Sequence, residues 1–418
     1  MSPDKPMTRR EALKTAALIG VAVSLDMKTL ARPMTGSSEK PVQDQAREAL
    51  LINSLAPKPP MGWNSWNYFA YNVTERDMRE MADAIVNKGL RKIGYKYVCV
   101  DDCWESIKRD ENGRLQSDPV TFPSGMKALA DYVHSRGLKF GIYSSAGTMT
   151  CAKRAGSEGY EEVDAQTWAD WGVDFLKYDA CYGTKPFPVN VKIMAQALRK
   201  TGRRIVYSIT GPVRRPTWSF PLGVNMVRVQ SDTNDSWRAI RKAFELTDTY
   251  QYTRPNHWPD PDMLVVGMYG HGVVSFGKSG CTTAEYRTQF SLWSIMAAPL
   301  IMGADIRQIP EEGLEILKNT EVIAVDQDAL GAGTRRVSSM DSDQLQVWKK
   351  DLAGGSIAVC LFNLKDTPAE VTATWTDLGL SGPRKVRDLW KRQEMGKQDR
   401  QYSATIEPHG VVMIKIAK

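Results

Sequence analysis

The sequence predicts a (β/α)8 barrel followed by a small antiparallel C-terminal β-sandwich, and three observations carry that prediction. From Pro59 onward, eight short β-branched or aromatic runs alternate with helical patterns, each run stopping at polar residues. The runs are near-continuously apolar, as strands of a parallel sheet covered on both faces must be. After about Leu330-Gly331 the texture changes to alternating strands split by Gly, Asp and Pro turns, which reads as an antiparallel domain.

The runs are MGWNSW (from Met61), YKYVCVDD (Tyr95), LKFGIYSS (Leu138), VDFLKYDA (Val173), RRIVYSIT (Arg203), MVRVQSD (Met226), WPDPDML (Trp258) and AAPLIMGAD (Ala297). Helix signals fill the gaps. TERDMREMADAIVNKGL opens on Thr74 with an acid three residues on, Asp77, places Met78, Met81, Ala82 and Ile85 on one face, and stops at Gly89. TTAEYRTQFSLWSIM repeats the device with Thr282 and Glu285. Eight such units fit a closed barrel better than an open doubly wound sheet, and no glycine-rich phosphate fingerprint follows the first run. The domains are therefore an N-terminal segment over 1–31, a linker over 32–56 with one short helix near Val42–Leu55, the barrel over 57–331 and the β-sandwich over 332–418.

The N-terminal segment MTRREALKTAALIGVAVSL has a basic start and an apolar run from Ala16 to Leu25 that is too short for a stable membrane span. Arg9-Arg10 followed by Glu11, Ala12, Leu13 and Lys14 looks like a twin-arginine export signal, with an ordinary Sec signal as the alternative. Export to a periplasmic or extracellular compartment is the expectation, with no stable membrane insertion. The net charge of +7 is scattered rather than blocked, which argues against a nucleic-acid partner. Four histidines and six cysteines show no CxxC or HxxxH spacing, so neither a metal nor another cofactor is expected. A homo-oligomer is compatible with the sequence.

A barrel carries its site at the C-terminal ends of its strands. The polar residues there are Trp66, Asp101, Asp102, Tyr143, Lys177, Asp179, Arg228, Asp232 and Asp262: five aspartates, two cations and two aromatics. Metal-assisted proton abstraction would use several carboxylates, but Lys177 and Arg228 would repel the ion. Glycoside hydrolysis needs two carboxylates flanking one bond and polar groups for the sugar hydroxyls, and an aromatic face suits a pyranose. A binding barrel without turnover is the third alternative.

PPMGWNSWN, DDCW, GIYSSAGTMTC, DAQTWADWGVDFLKYDACY, DTNDSW, WPDPDMLVVG, SLWSIMAAPLIMG and EVIAVDQDALG stand in that order from Pro59 to about Gly331. In these motifs the chain resembles glycoside hydrolase family 27, the α-galactosidases and α-N-acetylgalactosaminidases, and a C-terminal β-domain is also that family's arrangement. The resemblance implies a retaining hydrolase of terminal α-galactosyl residues that works by double displacement without a cofactor. Asp179 in KYDAC takes the place of the nucleophile and Asp232 in RVQSDTNDSW that of the acid/base. Lys177 should keep Asp179 ionised, and Asp232, facing that carboxylate, should hold its proton more tightly. A retaining pair stands about 5–5.5 Å apart.

The resemblance also implies a sugar pocket. Asp101 and Asp102 match the acids that hold the 4- and 6-hydroxyls, and Trp66 the aromatic at the back. Tyr143, Lys177 and Arg228 match ring-hydroxyl and nucleophile-positioning residues, and Asp262 with Met263 a late pocket wall. Cys151 and Cys181 match a family disulfide at the rim; Cys103 matches another bridge position without a partner, and Cys99, Cys281 and Cys360 read as free buried thiols. Asp235, beside Ser236 at a helix start, reads as a cap rather than a catalytic acid. Many family members carry Cys-Glu-Trp after the fifth strand, where this chain has SITGPVRRP, with Thr210 at the place that reads the sugar's 2-substituent. The family's N-acetylgalactosaminidases use small residues there to admit a 2-acetamido group; Thr210 is small but β-branched, Val213 is larger than alanine, and a hydroxyl can still bond a 2-OH. This favours an α-galactoside over an α-N-acetylgalactosaminide. Arg214 and Arg215 read as a solvated loop, with an acidic aglycone as the alternative.

Overall fold

The computed structural model describes residues 54–211 and 215–418. The expected signal, nearly all of the linker with its short helix, and Val213 and Arg214 lie outside the described residues. No described helix is long and apolar enough to cross a membrane.

Eight parallel strands form the first sheet: β1 (Met61–Asn64), β2 (Tyr97–Cys99), β3 (Lys139–Ser145), β4 (Phe175–Asp179), β5 (Val206–Thr210), β6 (Met226–Arg228), β7 (Trp258–Asp260) and β8 (Leu300–Met302). Their order is β7-β6-β5-β4-β3-β2-β1-β8. Leu264, just beyond β7, closes the ring: its amide donates to Ile301 O (2.8 Å) and its carbonyl accepts from the Gly303 amide (2.9 Å). Each predicted run supplies one strand.

Between strands the chain is mostly helical. Thr74 caps the helix Glu75–Asn87 through a complete capping box with Asp77, and Thr282 does the same with Glu285 for the helix Thr283–Met296. One crossover departs from the regular pattern. In the described part of the β5–β6 connection the only helical segment is the 3-10 stretch Pro216–Leu222, which follows the Gly-Pro-rich SITGPVRRP.

The parallel register stacks side chains in levels, because residues paired across neighbouring strands share a face and the face repeats every second residue. Gly141, Phe175 and Val206 share the lowest of three levels. Tyr143, Lys177 and Ser208 share the next, and Ser145, Asp179 and Thr210 the third, nearest the C-terminal rim. Phe175, Val206, Tyr97, Cys99, Met226 and Ile301 form an apolar plug inside the barrel. The alternate residues Leu176, Tyr178 and Ile209 join the larger cluster beneath the helices. Within FLKYD, therefore, period two aims Lys177 and Asp179 with Phe175 toward the barrel axis.

The C-terminal domain has a six-stranded sheet and a two-stranded sheet. The first contains β9 (Thr334–Met340), β10 (Leu345–Asp351), β11 (Ile357–Asn363), β13 (Arg384–Asp388), β14 (Gln393–Gln398) and β16 (Val411–Ile416). The second pairs β12 (Ala369–Thr374) with β15 (Gln401–Ile406). β11 is buried throughout. Its Ile357, Val359 and Leu361 face the sandwich interior, while Ala358, Cys360 and Phe362 join the barrel's cluster. Polar ties fix the junction: Trp390 Nε1 donates to Ser291 Oγ (2.8 Å) and Lys350 Nζ to Val325 O (2.6 Å). Arg387 forks onto Glu321 at 2.7 and 2.8 Å.

Gly141 shows how tight the plug is. A Cβ added there would lie 2.2 Å from Cys99 Sγ and 3.3 Å from Cys99 Cα. Gly141→Ala is expected to cost about 1–3 kcal/mol of stability by overpacking. In urea unfolding, Cys99→Ala in the same chain should recover part of that loss, giving a coupling between the two sites.

Candidate active site

β4 brings Lys177 and Asp179 to the mouth of the barrel, and each finds its partners on neighbouring strands. Lys177 Nζ donates to Asp101 Oδ2 at 2.6 Å, with only 14% and 2% of the two side chains exposed. The same oxygen accepts from Asn64 Nδ2 (2.7 Å), and the Asp101 amide donates to Ser65 Oγ (2.9 Å). Asp101 Oδ1 accepts from the Asp102 amide (2.9 Å). Asp102 in turn accepts from the amides of Cys103 (2.8 Å) and Ala152 (2.9 Å). Buried carboxylates persist when their lone pairs are filled in this way.

Asp179 Oδ1 accepts from the Ala180 amide (2.8 Å), and Oδ2 from Tyr143 OH (3.2 Å). Burial, and next the Asp179 charge, push the Tyr143 phenol well above its ordinary range, so it remains a donor. Asp232 stands on the loop after β6 with 78% of its side chain exposed, held by Arg228 Nη2 at 2.7 Å. The other arm of Arg228 pairs with buried Asp262 at 2.7 Å. Asp262 also accepts from the Thr233 amide (2.6 Å), so one buried carboxylate anchors both ends of the loop that presents Asp232. Asp262 adopts φ +79°, a conformation sparsely used outside glycine that is stored where function aims a side chain.

A cleft of about 1140 Å³ opens over this face, lined by Asp179, Thr210, Arg228 and Asp232 and continuing past Arg215 toward Lys242 and Tyr252. Below it, Lys177, Thr210, Arg228, Asp262 and Met263 line a small cavity of about 30 Å³. Thr210 is the register partner of Asp179 and belongs to both spaces; its buried Oγ1 has no hydrogen-bond partner among the described residues. Trp66 packs on the apolar plug that contains Met263 and lies edge-on to Tyr71 at 5.3 Å. A disulfide joins Cys151 to Cys181. Cys151 Sγ lies 3.7 Å from Asp179 Oδ2. The two sulfurs and the Asp179 carboxylate bring three ligand groups together, but sulfurs bonded to each other are poor ligands for a cation.

The family described as Alpha galactosidase A matches residues 58–328, and its C-terminal beta sandwich domain matches residues 342–416. The chain belongs to glycoside hydrolase family 27. It is 45% identical to an alpha-galactosidase of Coffea arabica over 88% of this chain and 96% of the relative. An alpha-N-acetylgalactosaminidase of Gallus gallus is 38% identical over 87% and 94% of the two chains. Among solved structures, alpha-galactosidase I from Mortierella vinacea superposes with a TM-score of 0.79 at 36% identity, covering 87% of this chain and 98% of that one.

Against that background, this family 27 chain departs from the sequence expectation in three places. Lys177 spends its ion pair on Asp101, so burial pushes the Asp179 carboxyl above the ordinary range, with Lys177 and the Ala180 amide offsetting only part. Burial acts on Asp232 too, but the Arg228 guanidinium, and then Lys177, hold its carboxyl below that range. The two acids are therefore ordered opposite to expectation. Asp235 is not the cap: Ser236 caps the helix Trp237–Lys242 through the Ala239 amide. Asp235 is buried and accepts from Gly270 N (2.8 Å), Cys281 N (3.0 Å), Tyr286 OH (2.7 Å) and Ser275 Oγ (3.3 Å).

The sequence reading also left out Asn64 and Ser65, which brace Asp101, and gave no role to Asp260. Burial pushes the Asp260 carboxyl up to about 6, and its Oδ1 accepts from the Asp262 amide (2.8 Å). A signal existed for the first two in WNSWN, where short polar residues follow a buried strand. The remaining cysteines are free and buried, as read.

The Asp235 hub yields a stability test. Asp235→Ala leaves three donors, Gly270 N, Cys281 N and Tyr286 OH, without an acceptor, the Ser275 hydroxyl keeping His271 O, and is expected to cost about 3 kcal/mol or more in urea unfolding. Asp235→Asn, which keeps one acceptor oxygen, should cost clearly less.

Proposed function

We propose that this chain is an exo-acting retaining α-galactosidase in which Asp179 is the nucleophile and Asp232 the acid/base. The observation that carries the reading is the single cleft in which Asp179, gripped by Tyr143 and Ala180, and Asp232, gripped by Arg228, line the same space. Asp179 attacks the anomeric carbon while Asp232 gives its proton to the departing oxygen; Asp232 then takes a proton from water as water displaces Asp179. Asp101 and Asp102 are the acceptors for the 4- and 6-hydroxyls, with Lys177 and Trp66 completing the sugar pocket and Met263 its wall.

The acid role asks Asp232 to hold a proton that Arg228 disfavours in the empty site. A bound sugar strips water from an exposed carboxyl, and desolvation favours its neutral form. Before binding, the competent combination of ionised Asp179 and protonated Asp232 is a minority of the one-proton form, and it shrinks as pH rises above the range of both carboxyls. Accordingly, kcat/KM on an aryl α-galactoside should be greatest on the acid side and decline toward neutrality. Asp179→Ala should lose essentially all turnover while unfolding at the wild-type temperature. The first sugar released should be the α-anomer by proton NMR, and the β-anomer would overturn the retaining assignment.

The second reading, α-N-acetylgalactosaminide hydrolysis, is favoured by the modest size of Thr210 beside Asp179. Side-by-side assays of the two aryl glycosides decide it, and Thr210→Ala should shift the ratio toward the N-acetylated substrate by removing the hydroxyl and a methyl. The Cys151–Cys181 bridge supports an oxidising compartment and hence export through the Arg9-Arg10 segment. Fractionation of cells carrying wild-type and Arg9→Lys/Arg10→Lys chains would test that route.

A further inference from the structure

Glu105 ends the stretch DDCWE, three residues after Asp102, and no step above uses it. It is completely buried, at 0% exposure, and is held in a β-bridge with Ser117. Neither carboxyl oxygen has a hydrogen-bond partner in another described residue, and the residue's own amide is the one donor beside it. The groups facing it are Asp101 and Asp102 from its own segment, Cys103, Tyr143 from β3, and Arg154. Arg154, the one cation in that set, turns instead toward Asp118 at 3.7 Å.

A carboxylate placed there would be a buried charge beside two other acids, with Arg154 near it but paired to Asp118. Such a charge costs several kcal/mol, whereas a neutral acid costs only the burial of one weakly satisfied hydroxyl. Burial and the Asp102 charge accordingly push the Glu105 carboxyl well above its ordinary range.

The surroundings show what ionisation would disturb. Arg154 belongs to a turn closed by Thr150 N to Arg154 O (3.0 Å) and Arg154 N to Thr150 Oγ1 (3.0 Å). That turn carries Cys151 of the rim disulfide and Ala152, whose amide fills one oxygen of Asp102. A negative Glu105 would draw Arg154 inward and pull on the turn that orients Asp102.

We propose that Glu105 is kept as a neutral carboxylic acid behind the sugar-facing aspartates and acts as a positioning residue: uncharged, it leaves Arg154 with Asp118 and so leaves the 150–155 turn, and through Ala152 the Asp102 carboxylate, in the sugar-binding arrangement. The sugar part of this inference rests on the galactoside reading above; the neutrality of Glu105 does not. A group whose proton is held more tightly in the folded chain contributes stability that is full at acid pH and is lost as pH rises through its folded-state value.

The test uses the full chain and Glu105→Gln, which matches the neutral acid in shape and cannot ionise, with Glu105→Met as a second uncharged variant. Thermal unfolding and galactose affinity by calorimetry are followed from acid to alkaline pH. On the acid side, Glu105→Gln should match the wild type in affinity within about twofold. On the alkaline side the wild type should lose affinity by up to about tenfold per pH unit while the variant holds, and its unfolding temperature should drop relative to the variant's. Glu105→Met should show the same alkaline resistance from a lower starting stability. Parallel unfolding profiles, or a Gln variant weaker at every pH, would overturn the proposal. If galactose fails to bind the wild type at any pH, the galactoside reading falls while the unfolding comparison still decides whether Glu105 is neutral.

Discussion

The ion pair between Lys177 and Asp101, 2.6 Å long and almost wholly buried, is the interaction on which the barrel mouth depends. It joins β4 to the end of β2 above an apolar plug, where an unpaired charge of either sign would be costly. Asp101 takes up Lys177, Asn64 and the Asp102 amide, and Asp102 in turn takes up the Cys103 amide, so the DDC turn is fixed by its own two carboxylates. Because Lys177 is committed to Asp101, Asp179 is steadied by Tyr143 and Ala180 instead. A second buried pair, Arg228 with Asp262, performs the same service on the opposite side for the loop that carries Asp232. The two acids of the cleft therefore differ in kind. One stands on a strand inside the barrel; the other stands on a loop and is largely open to water, where an incoming sugar can change its surroundings most.

The helix Thr283–Met296 shows how packing outside the barrel bears on the site. From Phe290 to Met296 all seven residues are buried, because the barrel covers one side and the C-terminal sheet the other. Its Trp293 donates to Asp262 O (2.7 Å), and its Gln289 meets Met263 O and the Val265 amide. The C-terminal domain thus braces a helix that in turn holds the strained backbone of the pocket wall. Asp235 adds to this by stapling the loop before that helix.

Much of the fold was legible, for reasons that lie in local chemistry. Eight apolar runs bounded by polar stops are what a parallel barrel with both faces covered requires, and Thr74 with Asp77 and Thr282 with Glu285 announce two helix starts outright. Lys177 and Asp179 share parity with Phe175, so period two alone places them on one face. Asp235 was misread because a short acid beside Ser236 at a helix start looks like a cap in sequence. Only the return of the chain past Gly270 and Cys281 reveals four donors waiting for it. Asp260 and Asn64 escaped notice because their partners come from the next turn or the next strand.

What the sequence by itself determined is the ring of eight strands, the following β-domain, and the set of side chains delivered to one rim, since each follows from periodicity and local turn chemistry. What only the tertiary structure decided is which charge answers which. That Lys177 pairs with Asp101 and offsets only part of the burial of Asp179, that Arg228 depresses Asp232, and that Glu105 forms no ion pair among the described residues all depend on distances between residues far apart in the chain. Electrostatic energy varies with those distances and with burial, and neither is written in the order of the residues.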